Sequence, residues 1–234
     1  MRFARFEALV GEKTAALIAE KCVFVAGLGG VGSYAVEALA RSGIGTLILV
    51  DGDVIDVTNI NRQLYALDST VGHLKVEVAA ARLHEINPLL RVIAYPRFLD
   101  GENLFSMLNH PIDFIIDAID SVDAKTFLIK TALDKGIPLI SSMGFAKKLH
   151  PEAIKLGMLS ETTVCPLAKT MRIRLKAEGM SLQVPVVYST ETPLESQTTS
   201  IKLGSVSTVP SVAGLLMASY VLNRLIDTSK EAHL

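Results

Sequence analysis

A glycine-rich loop is the first feature of this sequence whose residue types and spacing could do chemistry. The chain reads GLGGVGS, a G-x-G-x-x-G pattern made by Gly27, Gly29 and Gly32, with Gly30 as a further glycine. A β-branched run precedes it and a helical segment follows, which is the context that the motif requires. Glycines there let backbone N–H groups approach a phosphate at the helix N-terminus. We therefore predict nucleotide binding, with a plain tight turn as the alternative.

Two acids follow the next apolar run and would face the same ligand. Asp51 ends the run TLILV, and Asp53 comes two residues later. An acid about 20 residues beyond the glycines accepts hydrogen bonds from ribose hydroxyls. This pattern fits NAD as well as ATP, so the acids alone leave an oxidoreductase and an ATP-dependent enzyme open.

Clustered polar and basic residues favour ATP. Asn59, Arg62 and Gln63 lie in the run NINRQ, and Lys75 ends the run GHLK. Hydride transfer has no need of such cations, whereas displacement at the α-phosphate of ATP builds charge on phosphoryl oxygens. Arginine supplies a forked donor and lysine a mobile point charge. We expect Arg62 and Lys75 to be catalytic; a solvated loop is the alternative.

A further acidic motif, DAIDS, follows a strongly apolar run. Ligands of open α/β sheets bind outside the carboxyl ends of the strands, and a carboxylate there can hold Mg²⁺ together with substrate phosphates. We expect Asp120 to take this metal or nucleotide role as a third catalytic residue, and Asp117 to be structural. The alternative is that Asp120 or Ser121 caps the following helix.

The elements that must position these residues alternate between strand and helix from about residue 22 to 142. Continuous apolar runs are typical of parallel strands that are covered on both faces. They predict strands at 22–26, 46–50, 91–95, 114–118 and 137–142, and helices at 33–42, 75–86 and 124–135. The predicted fold class is α/β, with a Rossmann-like, doubly wound, mostly parallel sheet.

The rest of the chain reads as an extension of the same single domain, 1–234. The nucleotide-binding core takes up about 20–145, and the extension, about 146–234, contains strands at 155–159 and 184–189 and a terminal helix. A polar and basic segment lies at 161–183, and a Thr- and Ser-rich loop is predicted at 190–200.

Composition limits the function classes. The chain has 234 residues, a net charge of −1 and two cysteines, Cys22 and Cys165. The charge gives no overall attraction to nucleic acid, and two cysteines are too few for a disulfide framework, which favours the cytoplasm. The first residues show no signal-peptide core. The apolar stretch 209–226 predicts a buried amphipathic helix rather than a membrane span, with membrane contact as the alternative.

These motifs, in their order and spacing, resemble the ThiF/MoeB/HesA superfamily, whose fold is shared by ubiquitin-activating enzymes. The matching runs are GLGGVGS, LVDGDVID, NINRQ, GHLK, EINP and IDAIDS. The resemblance implies a site for ATP and Mg²⁺. Its glycines would cradle phosphate, Asp51 would bind ribose, Arg62 and Lys75 would stabilise the α-phosphate, Asn59 would support them, and Asp120 would hold Mg²⁺. It also implies a homodimer in which Arg5, rather than Arg2, reaches the partner subunit's ATP.

The rest of the chain resembles the tRNA threonylcarbamoyladenosine dehydratase branch. The similar runs are EALARSGIG, TNINRQ, DAIDSVDAK, CPLAKTMRIRLK and VVYSTE. That branch implies adenylation of the threonyl carboxylate, followed by cyclisation that expels AMP. Branches that activate sulfur-carrier proteins usually carry two C-x-x-C pairs for zinc; this chain has none, so no zinc is expected.

The basic segment supplies the tRNA candidates Lys169, Arg172, Arg174 and Lys176; a solvated helix face is the alternative. Lys147 and Lys148 are second candidates.

Three other functions stay open: an activator of a small ubiquitin-like carrier, with a cysteine desulfurase or carrier protein as partner; an NAD-dependent oxidoreductase; and a non-catalytic scaffold. Cys22 is expected in the core, whereas Cys165, in a predicted loop, could be a nucleophile.

Overall fold

The fold centres on a seven-stranded sheet. The computed structural model describes residues 2–195 and 203–231, with side chains to residue 228. Its strands are β1 Cys22–Ala26, β2 Thr46–Val50, β3 Arg91–Tyr95, β4 Phe114–Asp117, β5 Leu139–Ser142, β6 Ile154–Met158 and β7 Pro185–Ser189. Their order is β3-β2-β1-β4-β5-β7-β6, and only β6 runs antiparallel to its neighbour. The order reverses between β1 and β4, so a crevice is expected at their carboxyl ends.

Helices cover both faces of the sheet. They are α1 Ala4–Val10, α2 Glu12–Ile18, α3 Gly32–Arg41, α4 Lys75–Ile86, α5 Asn103–Met107, α6 Val122–Lys135, α7 Pro166–Ala177 and α8 Thr208–Glu231. Along β1, Val23 and Val25 pack with α3, α4 and α8, while Phe24 and Ala26 pack with α5, α6 and α7. Both faces of the strand are therefore buried, which explains its uninterrupted apolar sequence.

The predicted α/β fold with its terminal helix is confirmed; helices α1, α2 and α5 were not predicted, and several predicted elements differ at their ends. Helix α6 begins two residues early because the Ser121 hydroxyl accepts a hydrogen bond from the Ala124 N–H at 3.5 Å and so caps the helix. The basic segment 161–183 contains α7, whose Met171 and Leu175 are buried. Of the predicted loop 190–200, residues 196–200 lie outside the described part of the chain.

The apolar C-terminal stretch is a core helix in this structure. Within the described residues, Thr208–Thr228 alone is long and apolar enough to cross a membrane by length and composition. However, its inward side chains, among them Val209, Met217 and Val221, are fully buried in the core that contains α3. Gly214 allows the close contact, because a Cβ atom there would lie 2.2 Å from the Val31 carbonyl oxygen. The burial agrees with the predicted buried helix.

Candidate nucleotide-binding site

A cavity of about 650 Å³ lies at the carboxyl ends of β1, β2 and β4, where the strand order reverses. This volume falls in the range of small-molecule sites. Its walls unite residues that the sequence analysis selected from distant parts of the chain: Gly27, Gly29, Gly30, Asp51, Asp53, Asn59, Arg62, Gln63, Lys75 and Asp120. Gly32 and Arg5 are the two predicted ATP-binding residues that do not line it.

The glycine loop joins β1 to α3 and needs glycine for steric reasons. Gly27 has φ +89°, and a Cβ atom on it would lie 2.5 Å from the Ala118 carbonyl oxygen. A Cβ atom on Gly32 would lie 1.8 Å from the Gly27 carbonyl oxygen. Gly32 therefore packs against the backbone of the turn outside the cavity, while Gly27, Gly29 and Gly30 line the cavity at the N-terminus of α3. This arrangement suits an anionic phosphate.

Asp51 connects the loop after β1 to the loop after β2. Its carboxylate accepts hydrogen bonds from the Leu28 N–H at 2.6 Å and from the Asp53 N–H at 2.9 Å. Burial raises the pKa of Asp51 above its ordinary value, against the opposing attraction of the Lys75 ammonium. Each carboxylate oxygen has two lone pairs, so the side chain can still accept from ribose hydroxyls.

The two predicted catalytic cations lie in the cavity wall and are held by protein groups. Lys75, the first residue of α4, is buried, and its Nζ lies 2.7 Å from a carboxylate oxygen of Asp53. Arg62 is half-buried, and its Nη1 donates to the Thr58 carbonyl at 2.8 Å and to the Asn61 side-chain oxygen at 2.9 Å. Because a guanidinium has five N–H donors, the Nε and Nη2 groups of Arg62 remain for a phosphate.

The segment before Arg62 is a short 3-10 helix, Val57–Asn59, that the sequence analysis did not predict. Asp56 caps its start by accepting from the Thr58 N–H at 2.8 Å, and Asn59 accepts from the Asp56 N–H at 3.2 Å. Asn59 thus shapes the turn that precedes the arginine. Gln63 is 9% exposed and lies against Gly29.

The two acids of the DAIDS motif lie in different environments. Asp120 is exposed in the cavity wall beyond β4. Asp117 is fully buried, and its carboxylate contacts Lys125 Nζ at 2.8 Å and the Ser141 hydroxyl at 2.7 Å. The lysine also donates to the Ser142 carbonyl at 3.0 Å. Lys125 was not predicted, because a lysine within a helical run carries no sign that its side chain reaches a buried carboxylate.

An apolar section of the cavity wall was also missed. Phe98 and Leu99 follow β3, and Ile119 follows β4. A Cβ atom on Gly52 would lie 2.6 Å from the Phe98 backbone nitrogen, so this glycine lets the segment lie against the Asp51 loop. Phe98 is 67% exposed and Arg97 beside it also lines the cavity. The residues after β3 could have been expected in this wall, because β3 lies beside β2 and the carboxyl ends of parallel strands meet at one edge of the sheet.

The remaining predicted residues lie away from this cavity. Arg5 is exposed on α1, and Arg2 donates to the Ile86 carbonyl at 2.7 Å. Of the tRNA candidates on α7, Lys169 and Lys176 are exposed. Arg172 donates to the Thr162 carbonyl and hydroxyl, and Arg174 pairs with Asp123 at 2.9 Å and Glu178 at 3.4 Å. Protein groups therefore already engage two of these four cations.

Both cysteines are buried. Cys22 lies in β1, as expected for a core residue, and burial raises its thiol pKa to about 11. Cys165 lies in the loop directly before α7, at the N-cap position, but is only 1% exposed; its sulfur accepts from the Gly144 N–H at 3.2 Å. This burial does not suit a nucleophile for a bulky substrate. Lys148 is 2% exposed, so it does not serve as a surface cation.

Comparison with known proteins places these features in a family. The model of the ThiF family matches residues 3–234. The tRNA threonylcarbamoyladenosine dehydratase of Bacillus subtilis is 40% identical over 240 residues, which cover 96% of this chain and 94% of that protein. The Escherichia coli enzyme of the same name is 41% identical over 197 residues, covering 81% of this chain and 74% of that protein.

A solved structure extends the likeness to three dimensions. The crystal structure of E. coli tRNA N6-threonylcarbamoyladenosine dehydratase, TcdA, in complex with AMP, matches with a TM-score of 0.94 and 36% identity. The match covers 98% of this chain and 96% of that one. The ATP complex of the same enzyme matches with a TM-score of 0.92.

Proposed function

This chain belongs to the ThiF family, and from this premise we propose that it is an ATP-dependent adenylating enzyme that dehydrates threonylcarbamoyladenosine in tRNA to a cyclic product. The observation that carries the proposal is a single cavity that unites the glycine loop, Asp51, Arg62 and Lys75. Full-length similarity to enzymes of that name supports the choice of substrate.

The arrangement of the cavity supports the following orientation of ATP. The phosphates rest over the glycine loop at the N-terminus of α3, where backbone N–H groups and the helix dipole favour negative charge. The ribose hydroxyls donate to Asp51, and the adenine lies against the apolar wall of Phe98, Leu99 and Ile119. These contacts place the α-phosphate beside the two cations, Arg62 and Lys75.

Adenylation then uses the cations where charge develops. A carboxylate oxygen of the substrate attacks the α-phosphorus, and the bond to the β-phosphate breaks to release pyrophosphate. Arg62 donates from Nε and Nη2 to the phosphoryl oxygens. Lys75 leaves its ion pair with Asp53 and binds a phosphoryl oxygen instead. Donors held in the cavity wall before the substrate binds stabilise the developing charge, which is the usual source of such rate enhancement.

The second step converts the acyl adenylate into the product. The neighbouring carbamoyl group of the substrate attacks the activated carbonyl, its N–H proton is lost, and AMP leaves. The net change in the nucleoside is loss of one water. Because the attacking group belongs to the same molecule, positioning supplies much of the rate and no protein nucleophile is needed. The buried state of Cys165 agrees with such a route.

Mg²⁺ fits this site as a companion of ATP. The described residues contain no group of three or more His, Cys, Asp or Glu side chains that would form a protein metal cage. Asp120 offers one exposed carboxylate in the cavity wall, and Mg²⁺ usually binds through one or two carboxylates together with substrate phosphates. Bound there, the ion would neutralise phosphate charge.

The test of the proposed function uses the purified protein, ATP, Mg²⁺ and tRNA that carries threonylcarbamoyladenosine. We expect nucleoside mass spectrometry to show loss of one water from the modified nucleoside, together with AMP release. Unmodified tRNA is the matched control and should release no AMP. If a ubiquitin-like carrier protein drives pyrophosphate exchange while modified tRNA is left unchanged, the chain is a carrier activator, with a cysteine desulfurase or sulfur carrier as its partner.

The tRNA is proposed to contact the exposed face of α7. Lys169 and Lys176 are exposed there, and each phosphate contact makes binding depend on salt. In the same assay, Lys169→Glu with Lys176→Glu should raise the KM for tRNA, whereas Lys135→Glu, on α6, should leave it unchanged. A cytoplasmic location follows from a tRNA substrate.

A homodimer is proposed in which Arg5 completes the partner subunit's site. Arg5 is exposed on α1 and does not line the cavity of its own chain. We expect Arg5→Ala and Arg62→Ala each to be inactive alone, and a mixture of the two to regain part of the activity. Mixed dimers would contain one site with both arginines intact. A monomer by light scattering, or no recovery on mixing, would count against the shared site.

A further inference from the structure

The side chain of Asn61 joins Arg62 to a segment far away in the sequence. Its amide oxygen accepts from Arg62 Nη1 at 2.9 Å, and its amide nitrogen donates to the Ser205 carbonyl at 3.0 Å. Ser205 belongs to residues 203–207, which we call the C-terminal connector because they lead into α8. One amide therefore holds the guanidinium on one side and the connector on the other.

The connector is fastened in turn to the half of the molecule that follows β5. The Gly204 carbonyl accepts from the Lys147 N–H at 2.8 Å, and the Lys147 carbonyl accepts from the Leu194 N–H at 2.8 Å. Among the described residues, Lys147 is the only non-glycine residue with a positive φ, at 61°. A lysine is rarely held in this conformation unless surrounding bonds impose it. These contacts connect the loop after β5 to the segment that carries Arg62.

The start of α8, into which the connector leads, lies close to the phosphate loop. A Cβ atom on Gly30 would lie 3.2 Å from Pro210, in the first turn of α8, and 3.4 Å from the Arg62 carbonyl oxygen. The phosphate loop, the Arg62 segment and the start of α8 therefore pack together at one point. A shift of the connector would move the Asn61 amide, and with it the guanidinium.

We propose that Asn61 is a positioning residue, whose amide sets the orientation of Arg62 and couples it to the C-terminal connector. The inference deepens the proposed function, on which it rests for the role of Arg62. Thr58 and Asn61 together hold Nη1, which orients the guanidinium plane and leaves the Nε and Nη2 groups for a phosphate. The coupling works in both directions, as linkage requires: a phosphate that holds Arg62 stabilises the connector, and an ordered connector favours phosphate binding.

The chemistry of the amide explains why asparagine suits this position. The arginine needs an acceptor and the Ser205 carbonyl needs a donor, and a short side-chain amide supplies both. Aspartate would keep the acceptor for Arg62 but has no donor for the carbonyl. Alanine would remove both bonds. Comparing these two variants therefore distinguishes the effect of the hydrogen bond to Arg62 from the effect of the hydrogen bond to the Ser205 carbonyl.

Hydrogen exchange with and without ATP tests the coupling independently of the substrate. In the unaltered protein, ATP should slow exchange in the phosphate loop, in the connector and at the Lys147 amide. In Asn61→Ala and Asn61→Asp, protection of the phosphate loop should remain, while ATP should no longer protect the connector or Lys147. Asn109→Ala, at an exposed asparagine outside the cavity, is the matched control and should behave like the unaltered protein.

Steady-state kinetics with modified tRNA give the second readout. Asn61→Ala should lower kcat about tenfold and change the KM for ATP less than threefold, because ATP still binds but Arg62 is misaligned. Equal ATP-dependent protection of the connector in Asn61→Ala, or a kcat within twofold of the unaltered protein, would overturn the inference. If the unaltered protein fails to convert modified tRNA, the proposed function fails, and the exchange result still decides the coupling.

Discussion

Arg62→Ala is expected to lower the rate of adenylation by about 10²–10³-fold, the usual cost of removing one donor aimed at developing charge. The side chain lies in the cavity wall, and its hydrogen bonds to the described part of the chain run through Nη1, to Thr58 and Asn61. Its loss should therefore remove transition-state stabilisation with little effect on folding. Arg62→Lys should recover only part of the rate, because an ammonium cannot reproduce the fork of donors.

Release of AMP and pyrophosphate measures this effect, with circular dichroism and thermal unfolding as checks on the fold. Arg91→Ala is a suitable control, since Arg91 is exposed on the edge strand β3, outside the cavity. It should keep the unaltered rate. Adenylation by Arg62→Ala at more than half the unaltered rate would remove Arg62 from the mechanism.

Lys125→Met is expected to reduce the free energy of unfolding by about 3–5 kcal/mol, the typical cost of leaving one partner of a buried ion pair alone. Lys125 and Asp117 are both fully buried and lie 2.8 Å apart. Methionine fills similar space but leaves the Asp117 carboxylate without its counter-charge in a medium of low polarity. The Ser141 hydroxyl would still donate to this carboxylate, but it carries no charge.

Urea unfolding measures the loss. The double variant Asp117→Asn with Lys125→Met should recover part of the stability, because no charge is then buried. Lys130→Met is the matched control on the same helix: its ion pair with Glu178 is half-exposed at 3.6 Å and should contribute at most about 1 kcal/mol. A loss below about 1 kcal/mol for Lys125→Met would show that the buried pair does not stabilise this fold.

The central strands and the cavity could be predicted from the sequence because both depend on local patterns. The apolar run of β1 is buried on both faces, so it lacks the alternation of a half-exposed strand. Gly27 and Gly32 of the loop are required sterically, since a Cβ atom would lie 2.5 Å from the Ala118 carbonyl oxygen at the first and 1.8 Å from the Gly27 carbonyl oxygen at the second. Asp51 and Asp120 could be placed because residues at the carboxyl ends of parallel strands meet at one edge.

Residues whose role depends on distant partners could not be predicted. Lys125 reads as an ordinary helical lysine until β5 brings Ser141 and Ser142 to it. Arg172 reads as a cation free to bind RNA, and only the fold shows that it bonds to Thr162. The link from Asn61 to Ser205 spans 144 residues, and no pattern within the NINRQ run indicates it.

The packing of α8 has a consequence for synthesis on the ribosome. Pro210 lies against Gly30, and Gly214 lies against the Val31 carbonyl, so the earliest part of the site is completed by a late part of the chain. At about 5–20 residues per second, roughly 10–40 s separate the two during translation. The nascent protein should therefore expose the apolar surface that α8 later covers. We expect chaperones to bind the nascent chain during this interval.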